Sequence, residues 1–194
     1  KERTKTVQVI ILTPTRELAI QISEEINSFK GNKKLQIVPI YGGQSIEQQL
    51  KKLREGVDIV VGTPGRVIDH IHRKSLKLGD ISYFILDEAD EMLNMGFIED
   101  IEKILKNTNP EKRMLLFGAT MPPEILSLAE KYMREYQFIG IKKEQLTPDL
   151  TAQIYFEIAS SDKLEALCRI IDMEKEFYGL IFCKTKIEAD HIAT

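Results

Sequence analysis

An α/β fold built on a mainly parallel sheet, with helices covering both faces, is what this sequence predicts. Short apolar, β-rich segments alternate along most of the chain with segments whose apolar residues recur at helical spacing. The strand segments are mainly apolar, as expected of strands shielded on both faces. Hydrophobic residues make up 43% of the 194 positions and charged residues 29%, the balance of a globular chain and not of a disordered one.

Residues 7–13 read as a buried strand. A helix over 16–29 follows, with Leu18, Ile22, Ile26 and Phe29 on one face, Thr15 as its cap and Glu17 favoured in its first turn. Residues 35–41 form the second strand; Gly42-Gly43 then lead into a helix from 45 to about 54. A third strand spans 57–61, and Pro64 opens a helix through Val67, Ile68 and Ile71. Residues 83–86 give a strand ending in Asp87. A helix over 98–106, a strand over 114–117, a helix from 122 to about 133 and a strand over 137–141 come next. The polar, Pro-terminated stretch 142–148 reads as a linker. Beyond it, 152–159 and 180–183 read as strands, 163–173 as a helix, and 188 onward as the start of another.

Composition removes several classes. Two cysteines, Cys168 and Cys183, exclude a disulfide framework and a four-cysteine zinc site. Their apolar neighbours predict buried thiols in a reducing, cytoplasmic setting. No run of 18 apolar residues occurs to span a membrane, and the apolar run 7–12 is too short for a signal peptide. A formal net charge of −3 argues against general adhesion to nucleic acid, but leaves room for a local track. Phe84, Phe117, Phe156 and Phe182, with Met92, Met95 and Met133, are expected as core fillers. His70, His72 and His191 lack metal-ligand spacing, and no metal is assigned to them.

The chemistry concentrates at predicted strand ends. Asp87-Glu88-Ala89-Asp90 follows an apolar strand, the position where parallel sheets bind ligands. An Asp there suits Mg²⁺ held through water, and an adjacent Glu can orient an attacking water. Thr63-Pro64-Gly65-Arg66, Gly42-Gly43 and Pro14-Thr15-Arg16 stand at three other strand ends. Each alone also fits a turn and helix cap. Together they supply free amides, hydroxyls and Arg side chains, the equipment for gripping a nucleic-acid backbone. No G-x-x-x-x-G-K-[ST] loop accompanies the magnesium-side residues.

These segments, in this order and spacing, resemble the DEAD-box ATP-dependent RNA helicases. Pro14-Thr15-Arg16-Glu17-Leu18-Ala19 and Thr63-Pro64-Gly65-Arg66 are similar to RNA-contacting motifs of that family, and Gly42-Gly43 to its glycine doublet. Asp87-Glu88-Ala89-Asp90 is the motif that names it. Gly118-Ala119-Thr120 stands where the family has Ser-Ala-Thr, and residues 180–185 resemble the start of the second domain's motifs. The resemblance implies a RecA-like first domain at 1–143 lacking its N-terminal part, a linker at 144–149, and the start of a second RecA-like domain at 150–194. It implies ATP and Mg²⁺ as cofactors, Asp87 holding the metal through water, and Glu88 activating or positioning the attacking water. Asp90, Gly118, Ala119 and Thr120 would couple nucleotide to RNA. Pro14, Thr15, Arg16, Gly42, Gly43, Thr63, Pro64, Gly65 and Arg66 would hold one RNA strand, from single-stranded RNA or a short duplex, without reading its sequence.

Departures from the family pattern set further expectations. The family's adenine-reading glutamine motif and phosphate loop precede the first segment matched here, and its arginine fingers follow the last. The chain is therefore expected to be an internal fragment, catalytically silent alone, with sheet edges that favour aggregation. Gly118 lacks the hydroxyl that the family serine would turn toward Asp90, so weaker coupling of hydrolysis to unwinding is expected. The rival class is a non-enzymatic, truncated RecA-like module that binds RNA or a protein; a reading frame carrying the missing loop separates the two. A DNA-unwinding relative is disfavoured by the unbroken Asp-Glu-Ala-Asp form.

Overall fold

The computed structural model describes residues 6–133, 135–140 and 152–193. The chain falls into two compact units, Lys1–Phe138 and Ile139–Thr194.

The first unit runs β1 (Val9–Leu12), α1 (Arg16–Phe29), β2 (Ile37–Ile40), α2 (Ile46–Glu55), β3 (Ile59–Gly62), α3 (Pro64–His72), β4 (Tyr83–Leu86), α4 (Ala89–Asn94), α5 (Ile98–Leu105), β5 (Arg113–Leu116) and α6 (Pro123–Tyr132). All five strands are parallel, in the order β2-β3-β1-β4-β5. Pro39, which has no N–H to donate, lies in the outer strand β2, where a missing donor is tolerated.

Helices α3–α6 cover one face of the sheet and α1 covers the β1–β3 part of the other, where Leu115 of β5 stays exposed. Ile10, Leu12, Val60, Phe84 and Leu86 are fully buried and share a core with Val67 of α3, Met92 of α4, Ile101 and Ile104 of α5, and Ile125 of α6. Ile11 and Val61 point the other way, against Ala19, Ile22 and Ile26 of α1. Each such side chain contributes about 1.5–3 kcal/mol by leaving water. Thr15 caps α1 by accepting the Leu18 N–H at 3.2 Å, as its place before the helical pattern predicts. Phe29, expected on the apolar face of α1, is instead 79% exposed. It is the last helical residue.

Gly62 is fixed by space. A Cβ there would lie 2.5 Å from the Ile40 carbonyl oxygen and 3.0 Å from Val67 Cγ2. Only a residue without a side chain lets β2 and α3 close on the end of β3.

The second unit contains α7 (Lys163–Met173), entered through a single 3₁₀ turn at Ser160–Asp162, and α8 (Lys186–Ala193). Thr185 Oγ1 accepts the Glu188 N–H at 3.1 Å, while Glu188 Oε2 accepts the N–H groups of Lys184 and Thr185 at 3.0 and 3.1 Å. This reciprocal capping box starts α8. The strands expected at 152–159, 180–183 and 137–140 are absent from the described residues. Alternation of apolar residues makes a segment able to pair, but a strand exists only with a neighbour to complete its ladder. Ile141 and the expected linker 144–149 lie outside the described residues.

The same unit corrects other expectations. Cys168 is exposed and Cys183 only half-buried. Phe156 and Phe182 are exposed, as are Phe117 and Met95 in the first unit, so only Phe84 of the four phenylalanines fills the core. In the second unit the helices cover too little surface to enclose a side chain. Phe117 and Met95 sit just past the ends of their elements.

Candidate functional site

The registers of the five strands meet in one row. Leu12 pairs with Gly62 and Leu86, Gly62 with Ile40, and Leu86 with Leu116. The ladder continues one residue further: Thr13 N–H donates to Gly62, Thr63 N–H to Ile40, Asp87 N–H to Leu12 and Phe117 N–H to Leu86, at 2.8–3.0 Å. Every candidate segment begins at or just beyond this row. Because the sheet is wholly parallel, all of them gather along its carboxyl edge, where such sheets take ligands. Strand order then sorts them. The ends of β2, β3 and β1 carry Gly42-Gly43, Thr63–Arg66 and Pro14–Arg16; the ends of β4 and β5 carry Asp87–Asp90 and Gly118–Thr120.

On the first side, Pro14 and Pro64 are buried and shape their turns, while Arg16, Gly42, Gly43 and Gly65 are exposed. Gly43 adopts φ of 81°, a conformation that suits glycine. A Cβ on it would come within 3.7 Å of Arg16 Nη1, so the guanidinium hangs beside this turn. Arg16 also pairs with Glu17 at 3.2 Å, an exposed contact of little energetic weight. Thr63 bonds none of the first turn of α3 through its side chain, so the first-turn amide donors there stay available. Arg66 is half-buried, its Nη1 donating to the Gln44 carbonyl at 3.1 Å and to Gln49 Oε1 at 3.4 Å.

Sequence reasoning missed that last partner. Gln49 is buried on α2, and Nε2 of its amide donates to Tyr41 O and Gln44 Oε1, both at 3.0 Å. His70 of α3, also fully buried, closes the network from below, with Nε2 3.0 Å from Gln49 Oε1 and Nδ1 2.9 Å from Ser75 Oγ. Burial and the Arg66 charge push the His70 imidazole below its ordinary proton affinity, against the opposing pull of Asp69. The available signal was a polar residue interrupting each apolar helical stripe, Gln49 among Ile46, Leu50 and Leu53, and His70 beside Val67 and Ile71.

On the second side, Asp87 is half-buried and its Oδ1 accepts the Glu88 N–H at 3.1 Å. Glu88 is exposed and takes a left-handed backbone conformation, φ 53° and ψ 51°, unusual for a residue with a side chain. That kink turns the chain so that the Ala89 N–H reaches the Phe117 carbonyl at 2.9 Å, linking the ends of β4 and β5. Asp90 Oδ2 then accepts both the N–H and the hydroxyl of Thr120, each at 2.8 Å. Partial burial works against the ionised form of Asp90, but the Thr120 bonds together with the Asp90 and Glu91 backbone N–H groups outweigh it and hold its carboxyl below the ordinary range. Gly118 lies against the other carboxylate oxygen. A Cβ there would meet Asp90 Oδ1 and the Thr120 carbonyl oxygen, both at 3.0 Å. Gly118, Ala119 and Thr120 are themselves exposed.

Asp87 and Glu88 form no ion pair among the described residues, and one Asp87 oxygen is left without a protein donor. That donor set, hard carboxylate oxygen with no competing cation, fits a hydrated Mg²⁺. Among the described residues no group of three His, Cys, Asp or Glu side chains encloses a metal directly. A groove of about 470 Å³ lined by Tyr83, Arg113 and Tyr132 lies at the opposite, amino-terminal ends of β4 and β5, away from this chemistry. No described helix is long and apolar enough to cross a membrane.

Comparison with known proteins shows the family of the chain. The family model described as DEAD/DEAH box helicase matches residues 1–128. A probable ATP-dependent RNA helicase of Methanocaldococcus jannaschii is 56% identical over 188 residues, covering 97% of this chain and 50% of that protein. The DEAD-box ATP-dependent RNA helicase CshA of Bacillus subtilis is 43% identical over 187 residues, 96% of this chain and 38% of its own length. Among solved structures, a DEAD box protein from Methanococcus jannaschii superposes with a TM-score of 0.69 at 56% identity, over 97% of this chain and 50% of that one. A hypothetical ATP-dependent RNA helicase from Sulfolobus tokodaii gives 0.64 at 35% identity, over 68% and 39%. The chain spans about half the length or less of the curated relatives it matches. With its parallel RecA-like sheet and its motifs on one edge, the chain belongs to the DEAD/DEAH box helicase family.

Proposed function

We propose that this chain is part of the core of an ATP-dependent RNA helicase, gripping one RNA strand by its backbone and coupling ATP hydrolysis to local duplex opening. The observation that carries the reading is the sorting of motifs by strand order. Backbone-gripping groups follow β2, β3 and β1, and the carboxylates suited to magnesium and water follow β4, tied to the loop after β5. Residues 1–143 then make up the first RecA-like domain without its N-terminal part, and 150–194 begin a second, joined through 144–149. The two free thiols accord with a reducing, cytoplasmic setting.

In this mechanism Thr15, Arg16, Gly43, Thr63 and Arg66 hold phosphates and sugars through hydroxyls, amides and guanidinium groups. Such contacts fix register without reading bases, so any RNA sequence, single-stranded or in a short duplex, is accepted. When bound, ATP with Mg²⁺ supplies the phosphoryl group and the charge neutralisation its transfer needs. Asp87 would hold the metal through its water shell, and Glu88 would position or activate the attacking water. Asp90 and Thr120, with Gly118 and Ala119 in the same loop, make the end of β5 respond to events at the end of β4.

Because the sequence contains no Walker A loop, the 194-residue chain alone is expected to show no RNA-stimulated ATPase. The test of the reading uses the full-length protein. Glu88→Gln should abolish RNA-stimulated ATP turnover while retaining RNA binding. The double variant Arg16→Ala/Arg66→Ala should weaken binding of a labelled oligouridylate. Retained turnover in Glu88→Gln, or unchanged RNA affinity in the arginine variant, refutes it; RNA binding with no turnover in the wild-type protein favours the non-enzymatic module.

A further inference from the structure

Taking the β1–β3 edge as an RNA-backbone grip, we propose that His70 is a positioning residue for it, acting through Gln49 on Arg66 and the Gly42–Gln44 turn. Its tautomer follows from the partners. The Gln49 amide nitrogen is committed to two acceptors, the Tyr41 carbonyl and Gln44 Oε1, so its oxygen must face His70 and Arg66. An amide oxygen only accepts, so His70 Nε2 carries the proton and donates it to Gln49. In the neutral ring Nδ1 is then an acceptor, and the Ser75 hydroxyl stands 2.9 Å from it. That hydroxyl also lies 3.0 Å from the His70 carbonyl oxygen, a second acceptor for the same proton.

The consequence reaches the surface through Gln49. One side-chain amide ties the carbonyl before Gly42, the side chain after Gly43 and the Nη1 of Arg66 to a single buried point. Among the described residues Nη1 is the Arg66 nitrogen that protein acceptors occupy, which leaves Nε and Nη2 as donors for a phosphate. Remove the His70 donor and Gln49 Oε1 is buried with only the longer Arg66 contact. The amide is then held through its nitrogen alone, which loosens the point that the turn and the guanidinium share.

Full-length wild type, His70→Gln and His70→Asn distinguish this from a packing role. A glutamine nitrogen can reach the place of His70 Nε2, whereas an asparagine nitrogen reaches only that of Nδ1. Fluorescence anisotropy with a labelled oligouridylate should give His70→Gln an affinity within about twofold of wild type, and His70→Asn one weaker by on the order of tenfold. Circular dichroism confirms that each is folded. Nitrogen-15 spectra without RNA should show the Nε2–H tautomer in wild type, and a shifted Arg66 Nε–H resonance in His70→Asn but not in His70→Gln. The Nδ1–H tautomer, an unmoved Arg66 resonance, or a folded His70→Asn with wild-type affinity overturns the proposal. If His70→Asn does not fold, the wild-type tautomer and the affinity of His70→Gln decide alone. Wild type failing to bind the oligouridylate would refute the RNA reading of the edge, while the RNA-free resonances would still judge His70.

Discussion

Thr120→Val deletes one hydrogen bond from the loop that ties β5 to α4 and leaves almost everything else in place. The side chain keeps its shape, and the Thr120 N–H still donates to Asp90 Oδ2; only the hydroxyl bond at 2.8 Å is lost. A bond to a charged group is worth about 1.5–3 kcal/mol when dry. Asp90 is only half-buried, so water can replace the hydroxyl, and about 1 kcal/mol is the expected loss. At the thermal midpoint that corresponds to a fall of about 3–5 °C. The pH dependence gives the sharper check. The folded-state pKa of Asp90 lies below the ordinary 3.8, so its contribution is complete above that value and fades as pH falls through the folded one. Urea denaturation of wild type and Thr120→Val should differ most near neutral pH, and the gap should close as the solution is taken well below the ordinary aspartate value. An equal gap at neutral and strongly acidic pH, or none at neutral pH, would refute an ionised Asp90 as the acceptor. Thr120→Ser should behave as wild type.

Three further outcomes are expected. Gly62→Ala places a Cβ 2.5 Å from the Ile40 carbonyl and should cost about 3 kcal/mol in urea unfolding, because backbone must move; a loss under 1 kcal/mol counts against the packing described. Glu88→Gly relieves a left-handed residue and should raise stability by about 0.5–1 kcal/mol, the strain relief exceeding the flexibility gained by the unfolded chain; a less stable variant would contradict the backbone reading at this position. Gly118→Ser should shift the loop by a few tenths of an ångström to clear Asp90 and then bond it, raising the duplex unwound per ATP in the full-length protein. An unchanged yield per ATP would remove Gly118 from the coupling.

How much of this was legible in the sequence depends on whether the signal is local. Ile10, Leu12, Val60, Phe84 and Leu86 announce buried strands because sheet faces covered by helices demand apolar residues at every position. Thr15 and Pro64 mark helix starts by their own chemistry. Strand pairing carries no such local mark, which is why 152–159 and 180–183 looked like strands and are not paired. Nor was the backbone of Glu88 visible, since no glycine or asparagine advertises a left-handed turn there. The Gln49–His70 bond joins residues 21 apart on two helices. It exists only once α2 and α3 are packed, and a periodicity argument sees two polar interruptions without seeing that they meet.

Strand β1 sits at the middle of the sheet, and this makes the platform a stiff plank rather than a hinge. Its ladders run unbroken to β3 on one side and β4 on the other, past the row at Leu12 and out to Asp87. Pulling on the loops after β4 and β5 therefore does not bend the plank; opening it would break several backbone bonds at once. A displacement at one end of the carboxyl edge would pass to the other above the sheet, through the loops themselves. In engineering terms the strands are the chassis, and the tie from Asp90 to Thr120 is a brace bolted across its edge.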